Sequence, residues 1–197
     1  MNYFEEIKNI LFEYNRLGED VTSSGAILIG KAPHIAPLAW LHSLFPPLNN
    51  IDIQTIEKNV GISIPEAYKN FLGMYGNGLR IFSDSFNLYG LRKIEGRSIE
   101  AVRQPYDLDI PNTDERPKYA EDEDFFIGGY GWDGSKLYVK KTTEKVYYCA
   151  RRDATPLFEW SSFEEMLVSE VLRLQKYFDK DGKRIDKRMP TTPIIIK

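Results

Sequence analysis

Two histidines and one cysteine are the side chains of this 197-residue sequence best suited to acid–base or nucleophilic chemistry. His34 and His42 stand eight residues apart, but no neighbouring Cys, Asp or Glu completes a set of metal ligands, so surface or hydrogen-bonded histidines are expected. Cys149 lies in an apolar strand pattern, which predicts a buried, unreactive thiol. No Gly-x-Ser-x-Gly motif marks a nucleophilic serine. We therefore expect no catalytic residue, no metal site and no cofactor.

Carboxylates are concentrated in the middle of the chain, where eight acidic and two basic residues lie between Asp107 and Asp124. Four of the carboxylates are consecutive: Glu121, Asp122, Glu123 and Asp124. Adjacent like charges repel one another and remain hydrated, so a solvated acidic surface is the simplest interpretation. The alternative is a functional site built from these carboxylates.

A glycine-rich segment from Gly128 to Ser135 is the second candidate site. It lacks the lysine of a Walker loop and precedes a strand instead of a helix, so it is not expected to bind phosphate. A glycine-rich hairpin is the favoured interpretation. Tyr130, Trp132 and Asp133 lie in this hairpin, and aromatic rings that point outward there would form a binding patch.

These candidates depend on a framework, and residues 49–78 are its most informative part. Apolar residues at i, i+3 and i+7 predict a short helix, which Gly61 can end in the left-handed conformation. The apolar stripe comprises Ile53, Ile56 and Val60. A second helix begins almost at once, with either Ser63 or Ile64 as its N-cap, because Pro65 disfavours helical geometry at the residue before it.

The second helix has the i, i+3, i+4, i+7 spacing of a core-facing side. The residues with this spacing are Tyr68, Phe71, Leu72 and Tyr75. Gly76, Asn77 and Gly78 follow, and such residues tolerate the positive φ that stops a helix.

This run of residues resembles the signature of the SUKH superfamily, which is named in part for a yeast cell-wall synthesis regulator and is widespread among bacterial immunity proteins of polymorphic toxin systems. The residues that carry the resemblance are Gly61, Pro65, Tyr68, Phe71, Leu72, Asn77 and Gly78. The match continues through Leu88-Tyr89-Gly90 to the helix at Phe163. The resemblance implies that the strands after this signature complete the sheet.

Apolar periodicity outlines the remaining elements. Helices or helical turns are expected at 2–17, 38–45 and 92–102. A short strand is expected at 26–29, a hairpin-like pair at 79–82 and 86–91, and an antiparallel meander at 125–127, 136–139 and 145–149. A final helix follows, capped by Ser161 or Ser162. Beyond a solvated turn at residues 179–182, the tail is expected to be loose, with Ile194-Ile195-Ile196 as an added edge strand or a sticky end.

Composition and length indicate one ordinary globular domain, with 42% hydrophobic and 28% charged residues. We expect an α+β domain with a central antiparallel sheet and flanking helices. Its parts are an N-terminal helix and proline-rich extension packed on the core at 1–48, a SUKH-like core at 49–178 and a basic tail at 179–197.

Charge and hydropathy exclude several function classes. The net charge of −3 provides no global field for nucleic acid, so no direct nucleic-acid binding is expected. No signal-peptide pattern and no apolar run of membrane-spanning length occur, so a cytoplasmic protein without membrane contact is expected. A single cysteine excludes an internal disulfide.

Together with the resemblance, these features predict a non-catalytic immunity protein that binds a cognate toxin domain, such as a nuclease, and occludes its active site. The expected partner-binding residues are Glu121, Asp122, Glu123, Asp124, Tyr130, Trp132 and Asp133. The alternative is an intracellular scaffold or regulatory adaptor with the same fold. The sequence leaves open the identity of the toxin and the choice between monomer and dimer.

Overall fold

Nine antiparallel strands form one continuous sheet in the computed structural model, which describes residues 3–193. Each strand pairs with the next strand along the chain, as in a meander. The strands are β1 (Glu19–Val21), β2 (Ile27–Lys31), β3 (Trp40–Leu44), β4 (Leu79–Ile81), β5 (Phe86–Leu88), β6 (Asp124–Gly129), β7 (Lys136–Lys140), β8 (Val146–Ala150) and β9 (Asp153–Trp160). The predicted antiparallel sheet is confirmed, and it contains more strands than the sequence pattern indicates.

Six α-helices accompany this sheet within the described residues, and four of them pack on one of its faces. Their bounds are α1 (Tyr3–Phe12), α2 (Asn50–Val60), α3 (Glu66–Met74), α4 (Ile99–Val102), α5 (Asp109–Asn112) and α6 (Phe163–Gln175). Side chains of α1, α2, α3 and α6 join the strands in one core, in which Ile7, Ile56, Phe71 and Leu167 are fully buried. This arrangement confirms the predicted single α+β domain. None of the helices within residues 3–193 is long and apolar enough to span a membrane.

The opposite face of the sheet carries a smaller apolar cluster. Successive side chains of a strand point to opposite faces, so Phe126 leaves the main core that Phe125 and Ile127 enter. Phe126 packs instead with Tyr138 and with Ala120 of the segment between β5 and β6. Both faces of the central strands are therefore covered.

The residues before α2 contribute α1 and three strands to the same core and sheet. β2 confirms the strand predicted at 26–29. The helical turn predicted at 38–45 is wrong, because β3 occupies Trp40–Leu44 and pairs with both β2 and β4. Backbone hydrogen bonds to two neighbouring strands decide this conformation, and the local sequence pattern contains neither neighbour.

Local caps set the ends of α2 and α6. The Asn49 side chain accepts from the backbone N–H of Asp52, whose own carboxylate accepts from the Asn49 N–H, and Gly61 ends α2 at a φ of 79°. At α6, the Ser162 hydroxyl accepts from the Glu165 N–H at 3.1 Å. The end at Gly61 and the cap by a serine at α6 confirm the predictions, and the structure identifies Ser162 as that serine.

The N-terminus of α3 is capped from a distant part of the chain. Pro65 occupies the N-cap position without a side-chain cap, so the prediction that one of the two residues before it caps the helix is wrong. The carboxylate of Glu144, in the turn between β7 and β8, accepts from the backbone N–H groups of Glu66 and Ala67 at 3.2 Å. It satisfies donors that the helix leaves unpaired and complements the helix dipole.

β9 is, with β1 and β3, one of three described strands that the sequence prediction omits. It contains Pro156, which disfavours a central strand because proline cannot donate to the hydrogen-bond ladder. β9 lies at the edge of the sheet and pairs only with β8 among the described strands. A strand at the edge of a sheet tolerates the missing N–H of a proline. The sequence pattern does not show which strand will lie at the edge, because this depends on how the whole sheet pairs.

The C-terminal segment contacts the domain as far as residue 193, so the prediction of a loose tail is wrong for residues 183–193. Arg173 of α6 donates to the carbonyl oxygen of Thr191 at 2.7 Å, and Thr191 is buried. Asp179 accepts from the N–H groups of Asp181 and Lys183 at 2.9 Å, as expected of a turn. The run Ile194-Ile195-Ile196 lies outside the described residues.

Replacement of Glu144 by Ala is expected to lower the free energy of unfolding by about 1 kcal/mol, because α3 loses its N-terminal acceptor. Urea denaturation followed by circular dichroism measures this loss. Glu95→Ala is the matched control, since Glu95 is exposed and makes no hydrogen bond or ion pair within residues 3–193. Equal stability of the two variants would contradict the capping role.

Candidate functional site

The four consecutive carboxylates differ in exposure, and only part of the run can face a partner. Glu121 and Asp122 are exposed, Glu123 is half-buried, and Asp124 is buried at the start of β6. One oxygen of Glu121 forms an ion pair with Lys140 Nζ at 2.8 Å. We define the acidic surface as Glu121, Asp122 and Glu123, with one of its charges compensated by Lys140.

Asp124 does not face outward as expected, and its burial corrects that expectation. The side chain is 3% exposed, and its Oδ2 accepts from the Glu121 N–H at 2.8 Å, which closes the turn before β6. Burial raises the pKa of the Asp124 carboxyl above its ordinary value. Asp124 therefore does not face a partner, but it fixes the backbone of the turn that carries the acidic surface.

The expectation of an outward-pointing ring is likewise corrected at Tyr130. The ring is 2% exposed and packs edge to face against Phe86 and Tyr148, with centroids 5.5 Å away in each case. Its hydroxyl donates to Glu170 at 2.6 Å, and Glu170 is buried and paired with Arg173. Burial raises the pKa of Tyr130 well above its ordinary value. The ring therefore belongs to the core, where its hydroxyl reaches Glu170 of α6.

Trp132 and Asp133 form the tip of the hairpin between β6 and β7. The Trp132 ring is 45% exposed, and the guanidinium of Arg184 lies 5.6 Å from its centre. Asp133 Oδ1 accepts from the backbone N–H of Ser135 at 2.9 Å and from its hydroxyl at 2.5 Å. Asp133 therefore shapes the turn, while Trp132 presents apolar area to solvent.

The acidic surface and the hairpin tip lie at opposite ends of β6. This strand has six residues, and at ~3.3 Å per residue it is about 20 Å long. The carboxylates precede its first residue and Trp132 follows its last one. The structure therefore separates the predicted site residues into two surfaces.

Tyr68, one of the signature residues, holds the fold together from inside the core. It is fully buried, and its hydroxyl lies 3.1 Å from the carbonyl oxygen of Ile127 and also donates to that of Tyr89. Burial raises the pKa of Tyr68 well above its ordinary value, so the hydroxyl remains a donor. One side chain of α3 thus binds the backbone of β6 and the residue after β5.

Asn77 and Gly78 bind the chain where it leaves β5. The Asn77 amide donates to the carbonyl of Leu91 at 2.8 Å and accepts from its N–H at 2.6 Å. A Cβ at Gly78 would lie 2.4 Å from the carbonyl oxygen of Leu88, so only glycine fits there. Tyr68, Asn77 and Gly78 therefore stabilise the fold and do not form a binding site.

The side chains with catalytic potential are buried or isolated. Cys149 is fully buried, and burial raises the pKa of its thiol to about 12, which confirms the predicted unreactive state. His42 is also fully buried, and its Nδ1 accepts from the Phe82 N–H at 3.2 Å. His34 is exposed. Within residues 3–193, no three His, Cys, Asp or Glu side chains converge in a way that could hold a metal ion.

A family model matches the part of the chain that runs from just before α2 into α6. The matched residues are 47–169, and the model is that of the SMI1 / KNR4 family (SUKH-1). The chain belongs to the SMI1/KNR4 family. The match covers more than half of the sequence and contains all seven signature residues, which confirms the resemblance to the SUKH superfamily. No curated protein matches the sequence.

This SMI1/KNR4 family member also has a groove that the sequence did not predict. The groove has a volume of about 370 Å³ and lies between the β2–β3 loop and α4. Its floor includes Leu28, Ser43 and Arg80, which are paired across β2, β3 and β4 on the face opposite the main core. No local sequence pattern could have found it, because its lining residues come from segments that lie far apart in the chain.

Replacement of Tyr68 by Phe is expected to lower the free energy of unfolding by roughly 1–3 kcal/mol, because buried carbonyl groups lose their donor. The control is Tyr119→Phe, since the Tyr119 side chain is 78% exposed. Urea denaturation of both variants provides the comparison. A loss in Tyr68→Phe no larger than that of the control would show that the hydroxyl does not hold the strands.

His42 is expected to make the protein less stable in acid. Burial lowers its pKa to about 3, below the ordinary value of about 6.5, so the unfolded state binds the proton first. Stability present above pH 6.5 is then lost between pH 6.5 and 3, by at most about 1.4 kcal/mol per pH unit. His42→Gln, which keeps an acceptor for the Phe82 N–H, should show a shallower slope in denaturation curves across this range. Parallel slopes would rule out His42 as the source.

Proposed function

We propose that this protein is a non-catalytic immunity protein, which binds a cognate toxin domain and neutralises it by occluding its active site. Membership of the SMI1/KNR4 family (SUKH-1) is the observation that carries the proposal. The burial of Cys149 and His42 supports binding over catalysis, because neither can reach a substrate. The single buried thiol also suits a reducing compartment, so we propose the cytoplasm as its location.

The acidic surface is the contact that we propose for a nuclease toxin. Nucleases present Lys and Arg to phosphates, and a complementary carboxylate surface increases the rate of association. Because Lys140 compensates Glu121, Asp122 and Glu123 carry most of the attractive charge. Asp124 contributes by ordering the turn, through its bond to the Glu121 N–H.

Trp132 is the proposed anchor of a second contact. Half-exposed aromatic rings often contribute a large share of binding energy at interfaces. The guanidinium of Arg184 covers one side of this ring, at 5.6 Å from its centre. Because the hairpin tip lies about 20 Å from the acidic surface along β6, a toxin must be large enough to span this length to use both contacts.

The test of the function is co-expression with the toxin domain encoded beside this gene. Cells that produce the toxin domain should survive only when this protein is present, and the two chains should co-elute in size-exclusion chromatography. Survival without this protein, or the absence of a complex, would refute the immunity function.

Reversal of the acidic surface to Lys at Glu121, Asp122 and Glu123 is expected to slow association with a nuclease toxin by about tenfold or more at low salt. Stopped-flow or surface-plasmon measurements at several salt concentrations give this rate. The matched control reverses the exposed residues Glu6, Glu19 and Glu95, which gives the same net charge. Equal rates in the two triple variants would refute the acidic contact and leave the immunity function standing.

A scaffold or regulatory adaptor is the second candidate function. The apolar groove beside α4 favours it, because the groove offers a binding surface distinct from the acidic one. An adaptor would bind a cellular partner through the groove and would give no protection against a toxin. The survival assay above therefore separates the two candidates.

A further inference from the structure

We propose that the groove between the β2–β3 loop and α4 is a docking site for an amphipathic protein segment that carries carboxylates beside its apolar side chains. This inference goes beyond the proposed function, because it concerns a second surface with charge opposite to that of the acidic surface. It does not depend on the identity of a toxin.

Both walls of the groove expose aliphatic side chains. Ile35 and Leu38 of the β2–β3 loop are 53% and 67% exposed, and Ile99 and Val102 of α4 are 52% and 58% exposed. Isolated apolar residues are common on surfaces, but an apolar concavity with exposed side chains on both walls is typical of a binding site. A partner that fills the groove removes all four from water.

The α4 wall is held in place before any partner arrives. The buried Gln104 amide accepts from the N–H groups of Lys93 and Ile94 at 2.8 and 2.9 Å. It donates to the carbonyl oxygens of Ile94 and Ala101 at 2.8 and 3.2 Å. Because one side chain joins both ends of the segment that carries α4, little conformational entropy remains to be lost on binding.

Arg80 fixes the floor of the groove to this wall. Its guanidinium binds both carboxylate oxygens of Asp84 at 2.7 Å and donates to the carbonyl oxygen of Val102 at 3.1 Å. It also stacks on the Tyr106 ring at 4.8 Å. The charges of Arg80 and Asp84 therefore compensate each other and are not available to a ligand.

The remaining charges of the lining are both positive. Arg97 is exposed, Arg103 is half-buried, and neither forms an ion pair with another residue between 3 and 193. Since Asp84 is the only carboxylate of the lining and is paired, the groove presents two uncompensated guanidinium groups beside apolar walls. This charge favours an occupant with carboxylates and disfavours a basic one.

One wall of the groove lies outside the family match. Ile35 and Leu38 precede residue 47, where the family match begins. The partner segment is therefore recognised jointly by the N-terminal extension and by the SMI1/KNR4 domain, and the site is not implied by the family match.

Two labelled helical peptides test the proposal with the full chain. One has Leu at i, i+3, i+4 and i+7 with Glu at the other positions, and the other replaces every Glu by Lys. Fluorescence anisotropy at low salt should give at least tenfold tighter binding of the Glu peptide. Arg97→Glu with Arg103→Glu should weaken that binding at least tenfold, whereas the matched control Arg151→Glu with Arg152→Glu should change it less than twofold.

The apolar contribution needs a separate variant. Leu38→Ser with Val102→Ser alters exposed side chains, so the fold should persist, and circular dichroism checks this. The variant should weaken binding of the Glu peptide at least fivefold. The proposal is overturned if the full chain binds neither peptide, if both peptides bind equally, or if the serine variant binds as well as the parent. Self-association that the serine variant abolishes would identify a second copy of the chain as the occupant and would also overturn it.

Discussion

The buried polar contacts at the end of β5 are the constraint on which the rest of the structure depends. There the Tyr68 hydroxyl binds the Tyr89 and Ile127 carbonyl groups, while the Asn77 amide binds both backbone groups of Leu91. An unpaired backbone group in this core would be costly, so these side chains fix where the chain leaves the sheet. These contacts at Tyr89 and Leu91 fix the start of the long segment that runs from β5 to β6. That segment includes α4 and the turn before β6.

A second set of polar contacts joins the opposite end of the central strands to the C-terminal segment. The chain of contacts from Tyr130 through Glu170 and Arg173 to the Thr191 carbonyl is buried along most of its length. A buried charge is stable only when it is paired and hydrogen-bonded, which this arrangement achieves. It explains why an aromatic residue in a glycine-rich hairpin serves the core, and it leaves Trp132 as the ring that solvent can reach.

The surfaces that remain for partners follow from this framework and have opposite charge. Carboxylates collect in the turn before β6, and arginines line the groove beside α4. The acidic surface and the α4 wall of the groove belong to the segment between β5 and β6, which the signature contacts hold in place. The packed strands and helices of the SMI1/KNR4 domain thus hold both surfaces in place.

The sequence by itself determined the elements whose signals are local. The left-handed Gly61, the apolar face of α3 and the strands β6, β7 and β8 follow from periodicity and turn chemistry within a few residues. The tertiary structure alone decided β3, the cap that Glu144 provides for α3, the burial of Asp124 and Tyr130, and the groove. Each of these depends on contacts between residues far apart in the chain. A local pattern shows which side chains share one face of a strand or helix. It does not show which residues lie opposite that face once the sheet is assembled.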